Sequence, residues 1–169
     1  DNLPGNHPSA VPALAEILGD YLAGLSKKRR QAIAHARRDL ECWAAGTLRR
    51  RHVETAADLP GALDLLMELH QGRWRKEGGA GAFSSPRFRT FHECLTRHFL
   101  ELGQLDLTWL EAHGQPLAAQ YNFVAGGKTY FYQCGRRVDV PDHLSPGAVL
   151  LAQAIQDALQ AGRHEFDFL

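Results

Sequence analysis

Residues 105–169 constrain the fold more than any other stretch, because three β-rich runs joined by turn signals give way there to a helical period and then to a last extended run. Residues 105–112 and 117–125 are separated by His113-Gly114-Gln115-Pro116, and residues 128–135 follow Ala125-Gly126-Gly127. Three strands in that order form an antiparallel meander. Side chains alternate along a strand, so the third run is expected to turn Tyr130, Tyr132 and Cys134 to one face and Thr129, Phe131 and Gln133 to the other. Large residues on both faces suit a covered central strand.

Beyond a polar loop carrying Arg136, Arg137, Asp139 and Asp142, Ser145 is a good N-cap, Pro146 fits the first helical position and Gly147 allows close approach to the backbone. Val149, Leu150, Ala154, Ile155, Ala158 and Leu159 keep helical spacing up to Gly162, and residues 164–169 read as a short strand. Strand, helix and strand imply a right-handed crossover that lays the last strand parallel to the third. The helix start then lies beside the sheet, where unpaired N–H groups and partial positive charge suit a phosphate; an ordinary capped helix is the plainer reading.

At 169 residues with 44% hydrophobic and 22% charged content, the chain fits one globular domain with a substantial core, neither disordered nor fibrous. No apolar run reaches the roughly 18 residues of a membrane span and no secretory leader pattern is present, so a cytoplasmic location is the expectation. Cys42, Cys94 and Cys134 are few, odd in number and far apart, and the nine histidines are scattered without an HExxH pattern. Neither a disulfide framework nor a metal site is expected.

The net charge of zero hides a division: residues 25–51 hold nine lysines and arginines against Asp39 and Glu41, a local +7. Such an excess suits an anionic substrate, a nucleic acid or a membrane surface, with a solvated helix face as the commoner explanation. Residues 1–12 are rich in Pro, Gly and Asn and lack an initiator methionine, which reads as a linker, the cut edge of a longer protein or a processed start. Residues 1–24 are thus expected to be a linker with a short helix at 11–22, and 25–169 the main domain. Ser26 should cap a helix to about residue 45 with Ile33, Leu40 and Trp43 on its buried stripe, followed by an edge strand at 48–54 that tolerates three arginines. A helix over 58–76 ends with His70, Arg73 and Trp74. The Gly-rich 78–83 loop either covers a pocket or links helices, and a helix from Ser84 or Ser85 to about residue 102 should bury Phe88, Phe91, Leu95, Phe99 and Leu102. No internal repeat or low-complexity segment occurs.

The ordered features Ser26-Lys27-Lys28-Arg29-Arg30, Leu69-His70-Gln71-Gly72-Arg73-Trp74, Gly103-Gln104-Leu105-Asp106-Leu107, Gly114-Gln115-Pro116-Leu117-Ala118-Ala119, Tyr130-Phe131-Tyr132-Gln133-Cys134-Gly135, Ser145-Pro146-Gly147 and Phe166-Asp167-Phe168 resemble the BioF2-like and FemAB-like branch of the Gcn5-related N-acetyltransferase (GNAT) superfamily. The resemblance implies an α+β fold with a central, mostly antiparallel sheet flanked by helices and a splayed parallel strand pair. It also implies that the chain is the C-terminal half of a longer two-half protein. Acyl-CoA or acetyl-CoA would lie in the splay against Gln133, Cys134, Arg136 and Arg137, with its pyrophosphate at Ser145, Pro146, Gly147 and Ala148. His143-Leu144-Ser145-Pro146-Gly147-Ala148 keeps only part of the superfamily's usual pyrophosphate loop, and FemAB-like relatives take an aminoacyl group from tRNA instead.

The implied activity is N-acyl transfer to an amine, such as a small-molecule, cell-envelope or polysaccharide precursor. For the chemistry the sequence offers Tyr132 as acid, Glu111 as base and Asp167 to orient the amine, with His70, Arg73, Trp74, Gln120 and Asn122 as substrate contacts. Two other readings stand beside it. One is a non-catalytic GNAT-like module that binds an anionic partner through residues 27–51; the other is a tRNA-binding or other nucleic-acid-binding protein that uses the same stretch.

Overall fold

The Ser26 hydroxyl accepts the Arg29 N–H at 3.3 Å and opens helix α1 (Lys27–Ala44). The computed structural model describes residues 26–169, so the linker and short helix expected at 1–24 lie outside the described residues. Ala36, Leu40 and Ala44, spaced by four, form the buried stripe of α1, whereas Ile33 is half-buried and Trp43 is 37% exposed. The expected stripe of Ile33, Leu40 and Trp43 is corrected: two alanines bring the helix close to its neighbour, and Trp43 packs instead on the edge of His113, ring centroids 4.7 Å apart. Ala45 and Gly46, both at positive φ, end the helix.

Strand β1 (Arg49–His52) is an exposed edge strand, as expected. Helix α2 (Leu59–Lys76) follows a turn in which the Asp58 carboxylate accepts from the Thr55 N–H at 2.8 Å and the Thr55 hydroxyl at 2.9 Å. A 3₁₀ turn at Ala82–Ser84 leads to α3 (Pro86–Glu101), capped by Ser85. This helix is rotated from the expected aromatic stripe: His92 and Thr96 are its buried residues, and Phe91 and Leu102 are each 55% exposed. One residue along a helix turns the buried face by about 100°. The rotation is sustained because both polar groups find internal partners: the Thr96 hydroxyl donates to the His92 carbonyl at 2.7 Å, and the His92 ring lies between two tyrosines.

Strands β2 (Leu105–Ala112), β3 (Gln115–Ala125) and β4 (Lys128–Arg136) form the antiparallel meander. A 3₁₀ turn at Asp142–Leu144 precedes α4 (Pro146–Gln160), and β5 (Glu165–Asp167) closes the sheet, in the order β1-β2-β3-β4-β5. β5 runs parallel to β4, the pairing expected for the last strand. The fold is α+β, a five-stranded mixed sheet between α2 and α3 on one face and α1 and α4 on the other. Leu107, Ala119 and Tyr121 join the first layer's core; Leu110, Ala112, Leu117 and Ala118 join the second.

Two details set up the site. Pairing of β3 with β4 shifts between Tyr121↔Gln133 and Asn122↔Phe131, which leaves Tyr132 as the extra residue of a bulge. The expected alternation therefore breaks: Tyr132 reaches His92 of α3, and the next residue, Gln133, lies beside His70 of α2 on the same side. Nor is β4 covered along its length; only Thr129 and Gly135 are fully buried.

Gly135 is where α2 rests on the strand. A β-carbon there would stand 2.4 Å from the His70 backbone nitrogen and 2.7 Å from Leu69. Backbone cannot give way as a side-chain end can, so Gly135→Ala should cost about 1 to 3 kcal/mol or more, the range of overpacked cores. The expected outcome is a lower urea midpoint with unchanged slope. A midpoint equal to wild type would show that α2 does not bear on the strand there.

Candidate functional site at the open edge of strand β4

Pairing of β4 with β5 covers Lys128↔Glu165, Thr129↔Phe166 and Tyr130↔Asp167, then stops. From residue 131 to residue 136 that edge of β4 has no strand partner among the described residues, and its main-chain groups are left to other acceptors and donors. Three cavities follow this edge. One of about 530 Å³ is bounded by His70, Trp74, the 79–82 loop and Tyr132. A second, of about 240 Å³, lies on the α4 side at Gln120, Gly147 and Leu150. Arg73, Phe131 and Cys134 line both, so these are two mouths of one cleft. The third, about 470 Å³, continues past Arg136 to the start of α4 and shares Gly147 and Ala148 with the second.

The start of α4 differs from an ordinary cap. Ser145 is left-handed (φ 38°, ψ 53°), and its hydroxyl donates back to the Asp142 carbonyl at 2.9 Å rather than capping the helix. The Ser145 carbonyl takes the Ala148 and Val149 N–H groups at 2.9 and 3.2 Å. Pro146 has no N–H, and the Gly147 N–H has no acceptor among the described residues. Around Gly147 the space that a β-carbon would fill is open. This position therefore presents one free N–H at the positive end of a 15-residue helix.

Of the two neighbouring arginines only Arg136 lines the cavities; it is exposed and forms no ion pair among the described residues. The Arg137 fork is engaged elsewhere, on both Asp139 carboxylate oxygens and on Gln115 Oε1 at 2.5 Å, and its backbone N–H donates to Leu117. That fork holds the Asp139 carboxyl down at about 2.

On the α2 wall the Trp74 indole N–H donates to His70 Nε2 at 3.0 Å. Burial pulls the His70 pKa down, so the ring is neutral with its proton on Nδ1, which is buried with no hydrogen-bond partner among the described residues. The Arg73 guanidinium stacks 5.0 Å over the Trp74 ring. The 79–82 loop is a cavity wall rather than a plain linker: the Gln71 amide donates to the Ala80 carbonyl at 2.9 Å.

Tyr132, Glu111 and Asp167, each a separate candidate for the chemistry in the sequence, stand on three different strands of the sheet. Glu111 pairs with Arg51 at 2.9 Å on the β1 side of the sheet, with β3 between it and β4. Asp167 stands at the last pair before the splay, where its carboxylate accepts the Leu169 N–H at 3.0 Å. Tyr132 lines the larger cavity. Gln120 is buried beside the smaller one with its amide nitrogen unpartnered, while Asn122 is sealed and donates to Asp106 at 2.9 Å. Sequence reasoning missed His92 and Tyr121 behind Tyr132; the one signal was a histidine amid the phenylalanines of α3.

The family model described as acetyltransferase (GNAT) domain matches residues 27–169. Among solved structures the fold is similar to FemX, with a TM-score of 0.67 and 12% identity over 89% of this chain and 50% of that one. It is also similar to the C-terminal DUF2156 domain of a candidate lysylphosphatidylglycerol synthetase from Agrobacterium fabrum, with a TM-score of 0.51 and 18% identity over 81% of this chain and 40% of that one. The chain thus spans half or less of the length of these structures. No curated protein matches the sequence.

Burial pushes the Cys134 thiol up from its ordinary value, against the smaller pull of Arg73 and Arg136, so its thiolate fraction at neutral pH is low. Cys42 and Cys94 are exposed. Iodoacetamide at pH 7.5 should therefore modify Cys42 and Cys94 well before Cys134, with the Cys134 rate rising as pH increases. Peptide mapping that found Cys134 modified first would contradict this picture of the cleft.

Proposed function

The chain belongs to the acetyltransferase (GNAT) domain family, and we propose that it transfers an acyl group from a CoA thioester to an amine along the open edge of β4. The observation that carries this reading is the continuity of three features among the described residues: the open outer edge of β4 at 131–136, the free Gly147 N–H and the unpaired Arg136. An extended arm with amide groups suits the first. A pyrophosphate suits the second and third, since a helix start and a guanidinium both favour negative charge. A bound thioester supplies an activated acyl group. Tyr132 holds a proton at its hydroxyl for the leaving sulfur, and His70, Arg73 and Trp74 shape the wall against which the amine is held.

The FemAB-like resemblance of the sequence motifs supports a second donor, an aminoacyl group carried on tRNA, with a cell-envelope precursor as acceptor. In that case the basic residues of α1 and β1 add phosphate contacts. Three of those nine cations already stand in ion pairs: Arg37 with Glu41, Arg50 with Asp157 and Arg51 with Glu111.

Calorimetry with CoA and acetyl-CoA tests the first reading. Gly147→Ala should keep the melting temperature, because space is open there and alanine favours helix by up to about 1 kcal/mol, yet weaken CoA several-fold. Arg136→Ala should weaken it about tenfold at low salt and less at high salt, since an exposed cation acts through screened attraction. Absence of binding by both compounds would overturn the thioester reading. Capture of an aminoacylated tRNA would then favour the second donor, and capture of uncharged tRNA alone a non-catalytic module.

A further inference from the structure

Behind Tyr132 lies a buried pair of groups that the reaction so far leaves unused. His92, on α3, has no exposed surface and is ringed by Phe83, Phe88, Tyr121 and Tyr132, with the Phe88 centroid 4.4 Å away. Its Nδ1 stands 3.4 Å from the Tyr121 hydroxyl and its Nε2 stands 3.3 Å from the Tyr132 hydroxyl. Burial holds its pKa down, so at neutral pH the ring carries one N–H and one lone pair. Tyr121 also has no exposed surface, and its hydroxyl meets no partner other than His92 among the described residues. Tyr132 is only half-buried and borders the 530 Å³ cavity.

Counting protons fixes the direction of the chain. Were Tyr132 to donate inward to Nε2, the Nδ1 proton would go to the Tyr121 oxygen, and the Tyr121 proton would be sealed in an apolar shell without an acceptor. Buried donors are seldom left so. In the reverse order every buried proton is used: Tyr121 donates to Nδ1, the Nε2 proton goes to the Tyr132 oxygen, and the Tyr132 proton is left to point into the cavity. We propose that Tyr121 and His92 are positioning residues that make the Tyr132 hydroxyl a one-way proton donor to the ligand in the α2–β4 cavity.

The target of that proton rests on the transferase reading. As the acyl carbon–sulfur bond breaks, the Tyr132 O–H bond breaks with it and an S–H bond forms on the leaving thiolate. The phenolate left behind keeps the Nε2 hydrogen bond, which strengthens as negative charge grows on the oxygen. The amine sheds one proton when its N–C bond to the acyl group forms, and that proton restores Tyr132. Protons balance, and no oxidant or metal is involved.

The chain can be read without any donor bound. In the whole protein labelled with ¹⁵N-histidine, long-range ¹H–¹⁵N correlation at neutral pH should show His92, identified by the signals lost in His92→Gln, protonated at Nε2 and bare at Nδ1. Tyr132→Phe should weaken that preference, because each tautomer then leaves one buried proton without an acceptor, and Tyr121→Phe should keep it, because a proton on Nδ1 would then meet no oxygen. A wild-type His92 protonated at Nδ1 would overturn the proposal whatever the protein binds. Thiol release from acetyl-CoA with hydroxylamine as the amine gives the second readout. There Tyr132→Phe should lower kcat a hundredfold or more at little-changed KM, within the usual range for a general acid. His92→Phe should lower kcat in the same direction, and His92→Gln, whose amide N–H can reach the phenol, should recover part of the loss. Equal losses in the two His92 variants would remove the positioning role. Should CoA fail to bind while His92 shows the Nε2 proton, the thioester reading falls and the buried chain stands.

Discussion

Strand β5 holds β4 by only three residue pairs, and the cleft exists because that pairing stops. The short contact is secured from several sides. The His164 N–H donates to the Gly127 carbonyl at 3.0 Å, Lys128 pairs with Glu165 at 2.5 Å, and Arg163 donates to the Thr129 hydroxyl at 3.0 Å. All of these act at the beginning of β4. Beyond Tyr130 the described residues show no further strand pair, only the Phe131 and Phe168 rings with centroids 5.8 Å apart, and six residues of one edge stay open between a helix start on one side and α2 on the other. Closing that edge with a longer β5 would satisfy more main-chain groups and remove the cleft.

What stands on the two sides of the edge is fixed by small residues. Gly135 lets the α2 backbone come against the strand, which carries His70, Arg73 and Trp74 to the rim. On the other side, the open space at Gly147 keeps the helix start accessible. The first glycine is needed for packing and the second leaves room for a ligand. The β-bulge adds a third adjustment, since the extra residue turns Tyr132 toward His92 and away from the strict alternation of its strand.

Much of this order was legible in the sequence. The three strands, the crossover helix and the parallel closing strand follow from turn residues and from the change of hydrophobic period, both of which are local. Features that depend on distant partners were not. Glu111 looks free in the sequence, but Arg51 lies sixty residues earlier and faces it across β1 and β2. The stripe of α3 is miscounted because a histidine and a threonine displace Phe91 and Leu102 from the core, a choice made by two tyrosines on other strands and by a helix carbonyl. Ser145 looks like a cap because of its residue type. Its left-handed backbone, however, directs the hydroxyl to the carbonyl three residues before it.

Arg136 and Arg137 show how little residue type alone decides at such a site. Arg136 ends β4 and Arg137 follows it with the same charge, yet one borders the cavity at the start of α4 and the other closes a fork on Asp139 and Gln115 that anchors the loop to the head of β3. The local excess of positive charge in α1 and β1 is reduced in the same manner, by Glu41, Asp157 and Glu111. Charge counted along the sequence therefore overstates what an anion would meet there. At the β4 edge the count is equally incomplete: Arg136 without an ion pair among the described residues, the Gly147 N–H and the end of a helix dipole meet on a single cavity, with Asp142 on the same wall as the opposing charge. An anionic group on an extended ligand would meet Arg136 and the Gly147 N–H in that cavity, which lies where the open strand edge ends.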